Sequence, residues 1–306
     1  RVLIAPSRGE ARVLRRDGAG WSTEAVLPLP ATAAVRALAL SADGAVALLA
    51  DPDGAAVYAF ARDGAGWHAD GTLTVAGDSG VGRSIALAAD GATALVATDA
   101  RVQAFARGGG GWSRGPTLAV ARAVVAVDGT ATRAIVADAT HRAVWRQDGA
   151  TWTEEIVLAG GGAVAVAIDR AGARAAAMAP SGVTAVVTMV ARDAAGWHDD
   201  GALSPVTDTS PQSPALALSA DGARVVVGAP TRAAPLGVGA AWTFARGASG
   251  WQLEALLVQA NRADDLQARG LGTACALTAA HVVCSELGWT GVPWKPGAVR
   301  VFRVPE

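Results

Sequence analysis

The sequence predicts an all-β protein, a seven-bladed β-propeller of four-stranded antiparallel blades with the first and last blades incomplete. Three observations lead there. A Gly-Trp pair or near variant recurs at Gly20-Trp21, Gly66-Trp67, Gly111-Trp112, Thr151-Trp152, Gly196-Trp197 and Gly250-Trp251. The tryptophans are 46, 45, 40, 45 and 54 residues apart, a period that suits one propeller blade. A second turn, built on Asp-Gly, lies upstream in several repeats.

Each tryptophan follows the same phrase. Ala59-Phe60-Ala61-Arg62-Asp63-Gly64, Ala104-Phe105-Ala106-Arg107-Gly108-Gly109 and Thr243-Phe244-Ala245-Arg246-Gly247 are three copies. Each reads as a strand, then a glycine-rich turn, with the tryptophan opening the next strand: a hairpin. The upstream turns are Ser41-Ala42-Asp43-Gly44, Ala88-Ala89-Asp90-Gly91 and Ser219-Ala220-Asp221-Gly222. Glycine supplies the positive φ such turns need. The flanking runs, Ala37 to Leu40 and Val225 to Val227, are wholly apolar. Strands of that kind are buried on both faces, as strands between neighbouring blades would be. Each repeat is therefore four strands, a to d.

Composition narrows the function classes. The chain has 306 residues, 51% hydrophobic and 17% charged, enough to bury a large core, and we read 1–306 as one domain. Net charge is −1, so nothing electrostatic draws it to nucleic acid or anionic membrane. One Lys (Lys295) accompanies 25 Arg, and those at Arg15, Arg62, Arg107, Arg192 and Arg246 recur with the repeat. The least charged stretch, Ala175 to Ala191, is too short and too broken by Pro180 and Gly182 to insert in a membrane.

Strand b often ends in Gly-Ala-Pro or a relic of it: Gly228-Ala229-Pro230, Met178-Ala179-Pro180, Ile4-Ala5-Pro6. Strand a follows phrases such as Val81-Gly82-Arg83-Ser84. These features resemble the FG-GAP (integrin-α-type) repeat, in a degenerate bacterial or protist form with Val81 in place of the Phe. The resemblance covers essentially the whole chain. It implies a non-catalytic interaction, adhesion or scaffold module, another protein as partner, and an extracellular or cell-surface setting. Five repeats are complete, opening near Ala34, Val81, Ala121, Gly162 and Pro214. The start holds strands b to d and the end, from Gly272 to Val304, holds a to c. A strand a is expected upstream of Arg1, so the chain reads as a piece of a longer polypeptide. The alternative is six blades plus an extra hairpin.

Calcium is the cofactor the resemblance raises, since integrin-type turns carry several carboxylates in one loop. Here Ala39, Ser41 and Ala47 surround Asp43, and a lone carboxylate holds Ca²⁺ poorly. Asp51 and Asp53, in Asp51-Pro52-Asp53-Gly54, are a weak metal candidate. Cys275 and Cys284 fall roughly opposite each other on one hairpin, which leaves a disulfide or two buried thiols open. His68 and His198 open two d strands, and His281 replaces a turn glycine. No nucleophile elbow, phosphate loop or zinc spacing is present, and no catalytic residue is assigned.

The candidate partner-binding residues are Trp289, Trp294 and Lys295, in a loop with two tryptophans and two prolines, and Arg232 in the loop Thr231 to Gly239. Loops on a rigid scaffold carry function, and tryptophan is frequent at binding hot spots. The d–a connections Thr207 to Ser213 and Ala260 to Arg269 are also long. The expected partner surface is thus the loop face of the last three blades. A glycan-binding propeller using exposed tryptophans is the alternative, and a propeller hydrolase ranks last.

Overall fold

Short apolar runs punctuated by Asp-Gly and Gly-Trp turns fold into seven antiparallel sheets. The computed structural model describes residues 1–18, 20–181, 184–207, 215–230, 239–258, 270–278, 280–286 and 298–304. The first sheet has three strands, β1 (Val2–Ser7), β2 (Glu10–Asp17) and β3 (Gly20–Pro28). The second has β4 (Ala37–Leu40), β5 (Val46–Asp51), β6 (Ala56–Asp63) and β7 (Gly66–Leu73). The third has β8 (Ile85–Leu87), β9 (Thr93–Ala97), β10 (Val102–Gly108) and β11 (Gly111–Leu118). The fourth has β12 (Val124–Val127), β13 (Arg133–Ala137), β14 (Arg142–Asp148) and β15 (Thr151–Val157).

The fifth has β16 (Ala165–Ile168), β17 (Arg174–Ser181), β18 (Thr184–Asp193) and β19 (Gly196–Thr207). The sixth has β20 (Leu216–Leu218), β21 (Arg224–Ala229), β22 (Ala240–Gly247) and β23 (Gly250–Leu257). The seventh again has three, β24 (Cys275–Leu277), β25 (His281–Glu286) and β26 (Ala298–Arg303). Strands are consecutive in every sheet. These are the seven blades of a β-propeller, and the six-blade alternative is set aside. No helix among the described residues is long and apolar enough to cross a membrane.

The turns explain themselves locally. At Ser41-Ala42-Asp43-Gly44 the Asp43 carboxylate accepts the Ala45 N–H (2.9 Å) and the Ser41 hydroxyl (2.6 Å). Gly44 takes φ +68°. Ser219, Asp221 and Gly222 repeat the arrangement. In the fourth and fifth sheets the acid moves to the serine position. Asp128 accepts the N–H groups of Thr130, Thr132 and Arg133, and Asp169 those of Ala173 and Arg174. The carboxylate oxygens of these turns face their own backbone, as Asx turns do.

The chain divides into two compact units, Arg1–Asp138 with Trp145–Glu155, and Ala139–Val144 with Ile156–Glu306. In the first, β4, β8 and β12 lie side by side. Alternate residues of one strand serve two different cores, because successive side chains point to opposite faces. From β5, Ala47 and Leu49 pack with Leu3, Ala11, Val13 and Leu27 of the first sheet. Leu48 and Ala50 pack the other way, with Val81, Ala94, Val96 and Phe105 of the third. In the second unit β16, β20 and β24 are neighbours. Met178, Met189 and Leu203 of the fifth sheet pack against Val225, Val227, Trp242 and Phe244 of the sixth.

Two glycine contacts show why the blades need small residues where they touch. A Cβ on Gly82, which has φ +86°, would lie 2.7 Å from the Ala50 Cβ of the preceding blade. The same approach recurs between the sixth and seventh sheets. There a Cβ on Gly228 would lie 2.0 Å from the Gly272 carbonyl oxygen. Gly228 belongs to the Gly-Ala-Pro phrase and Gly272 precedes strand a, so the two glycine positions of the repeat meet across the blade boundary.

Two alignments shift by the register. Arg16, not Arg15, lies opposite Trp21 as Arg62 lies opposite Trp67. His281 is not a turn residue: it opens β25 opposite Arg303, where other blades have Arg224 or Val46.

We expect Gly228→Ala to destabilise the fold by about 1–3 kcal/mol or more in urea unfolding, as overpacking does. Gly109→Ala, with open space around the new Cβ, should stay within about 0.5 kcal/mol. Equal behaviour of the two would contradict the contact.

Candidate functional site

The most repetitive polar construction is a carboxylate held at a β-bulge. Glu24, Asp70, Glu155, Asp200 and Glu254 each stand three residues after a repeat tryptophan. In the third–fourth strand ladder, Ala59 faces Gly71 and Phe60 faces Ala69, which leaves Asp70 unpaired. Glu24 and Glu254 are the extra residues of the first and sixth ladders, and Asp200 with Gly201 of the fifth. A bulge re-aims its side chain out of the strand's alternation. For Glu24, Asp70 and Asp200 the carboxylate meets the hairpin between the third and fourth strands of the following blade.

Two kinds of arginine meet these acids. One comes from the start of strand b of the same sheet, which in the first sheet is β1. Arg1 reaches Glu24 (2.7 Å), Arg133 reaches Glu155 (2.8 Å) and Arg224 reaches Glu254 (3.0 Å). Arg174 makes a looser ionic contact with Asp200 at 3.4 Å. The other comes from the third strand of the next sheet. Arg62 donates to Glu24 (2.7 Å), Arg107 to Asp70 (2.6 and 3.2 Å) and Arg246 to Asp200 (2.7 Å). The next tryptophan adds an indole bond, Trp112 Nε1 to Asp70 Oδ2 (2.9 Å) and Trp251 Nε1 to Asp200 Oδ2 (3.1 Å). Charge-assisted bonds with a bidentate arginine are among the stronger polar contacts.

The electrostatics follow. Burial pushes the Asp200 carboxyl pKa up, but the bonds from Arg246 and Trp251 and the charges of Arg246 and Arg174 outweigh it. The net result lies below the ordinary carboxylate value. Asp70 behaves alike: burial opposes, and Arg107 and Trp112 prevail. Glu24 is lowered first by its bond from Arg1.

One station is missing as a unit. The acid position of the third sheet is Gly115, and the arginine position of the fourth is Gln147. The Trp152 Nε1 is buried with no hydrogen-bond partner, as is the Trp67 Nε1 at the station where Glu24 is present. Acid and arginine are lost together, as a working pair would be.

The sequence carried a signal for this that the Gly-Trp spacing alone does not use. The full phrase is Trp, an acid at +3 and Leu at +6. Leu27, Leu73, Leu118, Leu158, Leu203 and Leu257 fill the +6 position; the first five are buried and Leu257 is half-buried. Of the repeat tryptophans, Trp67, Trp112, Trp197 and Trp251 are half-buried, Trp152 is buried and Trp21 is exposed.

Of the candidate residues, Trp289, Trp294, Lys295 and Arg232 lie outside the described residues. So do most of the long connections around 208–214, 231–238 and 259–269. Cys275 and Cys284 are directly opposite on β24 and β25 and form a disulfide, with Cα atoms 4.2 Å apart. The structure separates the environments of Asp51 and Asp53. Asp51 is buried at the end of β5, its Oδ2 under Gly54. Asp53 is exposed and pairs with Arg36 at 2.9 Å. Among the described residues no three His, Cys, Asp or Glu side chains group as metal ligands would. His68 and His198 are half-exposed at the starts of β7 and β19, each 3.8 Å from an aspartate, Asp63 and Asp193.

The described loops of the second and third sheets carry a further ionic cluster. Arg101 clamps Asp78 with two 2.9 Å bonds, and the Thr98 hydroxyl adds a third. Asp99 accepts the Ser79 hydroxyl (2.8 Å) and faces Arg83 and Arg122. These charges satisfy one another and tie neighbouring loops together.

No family model matches the chain, and no curated protein matches it. Solved structures do. A functionally unknown protein from Desulfotomaculum acetoxidans matches with TM-score 0.62 and 11% identity, over 84% of this chain and 78% of that one. A protein from Lactobacillus plantarum matches with TM-score 0.59 and 16% identity, over 83% and 80%. Hydrazine synthase from Kuenenia stuttgartiensis matches with TM-score 0.61 and 12% identity, over 81% and 72%. At such identities the likeness is one of fold.

The lowered carboxyls give a signed prediction. A carboxyl whose folded pKa lies below its unfolded value of about 3.9 contributes stability above that pH and loses it as pH falls through the folded pKa. Urea unfolding from pH 7 to pH 3 should show stability dropping below about pH 5. Asp200→Asn should be less stable at pH 7 and show a shallower drop. An unchanged pH slope in Asp200→Asn is the result that would remove the linkage.

Proposed function

We propose that the chain is a non-catalytic, FG-GAP-like propeller that binds another protein as an adhesion or scaffold module. Its contact surface is the d–a and b–c connections of the last three blades. The observation that carries the reading is the contrast between connections. The b–c spans of the second to fourth sheets are Pro52–Ala55, Thr98–Arg101 and Asp138–His141. That of the fifth is 182–183, and those of the sixth and seventh run over 230–239 and 287–297, the last including Trp289, Trp294 and Lys295. Extra chain on a regular scaffold is where recognition is usually built.

Two further features support the reading. The charged residues repeated along the blades are engaged with one another, which suits a rigid platform. The disulfide suits an oxidising compartment and so an extracellular or cell-surface site. Binding of a glycan asks for exposed aromatic rings in several blades. Among the described residues Trp21 is the exposed one, so protein binding is favoured. A hydrolase asks for histidine or carboxylates converging on the first strands, and Ala37–Leu40, Val124–Val127 and Ala165–Ile168 are aliphatic.

The test is a pull-down with the 306-residue protein beside a Trp289→Ala/Trp294→Ala variant of equal melting temperature. Partner recovery should fall at least about tenfold, the scale of losing a hot-spot residue. Recovery that does not change removes the loop-face assignment, and retention on a glycan array with equal loss in the variant would favour the glycan reading.

A further inference from the structure

The fourth sheet carries a charged side chain where its sister blades carry an aliphatic one. Ala11, Val57, Val102, Val187 and Ala241 each stand opposite the leucine at +6 from the repeat tryptophan, and all are fully buried. In β14 the residue whose carbonyl accepts the Leu158 N–H is Arg142, and it is 3% exposed. Its Nη2 donates to the Ala159 carbonyl and to the Thr188 hydroxyl (3.3 Å). Its Nε and Nη1 are buried with no hydrogen-bond partner, so three N–H donors stay unused. Burial pushes its pKa down, and no neighbouring carboxylate opposes the shift.

The surroundings are adjusted to this residue. In the fifth sheet Ala177 and Thr188 are directly paired. The sister sheets have Leu49 with Tyr58, Val96 with Gln103 and Val227 with Trp242 at that place. The smaller pair makes room for a long side chain, and the threonine gives it an acceptor. The connection between β15 and β16 contains Gly160-Gly161-Gly162. Gly160 and Gly161 are exposed, with φ +102° and +79°. A Cβ on Gly160 would lie 2.5 Å from the Arg142 Nη2, so this glycine rests on the guanidinium. Among the described residues the N–H groups of the three glycines make no backbone hydrogen bond. The loop can therefore move aside without breaking one. Arg142, the loop, Ala177 and Thr188 all belong to the second compact unit.

A guanidinium keeps its proton in a protein, and a buried ion without a counter-charge is strongly unfavourable. A water molecule can accept one of its bonds but leaves the charge in place. A monoanion supplies acceptors and neutralises the charge, whereas a dianion would exchange one net buried charge for another. A carboxylate is singly charged and planar, and suits the donors of a guanidinium. We propose that Arg142, beneath the Gly160–Gly162 loop, is the binding site for a small carboxylate ligand, a free acid on the scale of acetate. The carboxylate oxygens accept from Nε and Nη1, and the Thr188 hydroxyl, an acceptor from Nη2, turns its own proton toward the ligand. No residue named for the partner surface takes part, so failure here would leave the protein-binding reading standing.

The test uses the 306-residue protein and sodium acetate, which replaces sodium chloride at constant ionic strength so that screening and halide effects cancel. Binding is read by calorimetry, by melting temperature and by the nuclear magnetic resonance signals of arginine Nε–H groups. The expected result is saturable binding that raises the melting temperature and shifts one arginine Nε–H signal. Arg142→Val, which restores the residue of the sister blades, should remove that signal and weaken acetate binding at least about tenfold, the scale of hydrogen bonds to a charged group. The signal on the unaltered protein keeps the test decisive should Arg142→Val fold poorly. Absence of saturable binding, or binding that moves no arginine Nε–H signal, would overturn the proposal and leave the guanidinium to buried water. Equal acetate binding by Arg142→Val would overturn it too, by placing the anion elsewhere.

Discussion

The regularity of the blades depends on a carboxylate that a β-bulge lifts out of its strand. Without the extra residue, Asp70 or Asp200 would point along the ordinary alternation of the outer strand and meet solvent or its own sheet. With it, the acid reaches the arginine that closes the next blade's third strand and the indole that opens its outer strand. The bulge thus converts a strand, which recognises its neighbours only along its edges, into an element that also recognises the blade beside it. Ion pairs contribute modestly when exposed, and when partly buried their desolvation offsets much of the attraction, so that removing one partner costs more than the pair contributes. These are mostly of the second kind, and they fix orientation at the rim, where apolar contacts are sparse.

Nearer the first strands the constraint is steric. Ala, Gly and Val line the faces where blades meet, and a glycine of one blade rests on a small residue of the next. A strand such as β5 is then buried on both sides with no polar side to spare, so its residues alternate between two cores rather than between core and water. High alanine content is unfavourable for an isolated strand. In this arrangement it is tolerated because the packing distance, not the intrinsic propensity, selects the residue. The rim stations and the glycine contacts act together: one holds the outer strands in angle, the other lets the inner strands close.

Departures from the repeat fall where a neighbour changes. Gly115, Gln147 and the unpartnered Trp152 indole form one such place, and Val304 beside Glu254 another. In the first, acid and arginine disappear together, so no bare charge is left behind. In the second the acid keeps Arg224 of its own sheet, while Val304 offers no side-chain donor.

Much of the architecture was legible in the residues. The Gly-Trp period and the Asp-Gly turns specify hairpins of set length, because a turn that needs positive φ and a strand that needs apolar residues leave little choice of register. The opposed Cys275 and Cys284 followed from the same counting. Arg16 stands five residues before Trp21 as Arg62 stands before Trp67, so spacing alone separates it from Arg15, whereas His281 opens a strand because its turn is shorter than those of the sister blades. Other features were not legible. That Asp70 serves the next blade and Asp43 its own turn could not be read from either aspartate, since both sit near glycine in polar phrases. The sequence by itself determined a repeating four-stranded blade, because turn chemistry and apolar periodicity are local. Only the tertiary structure decided which charges bind which, because the partners are some forty residues apart and meet through a bulge that redirects one side chain across the boundary between blades.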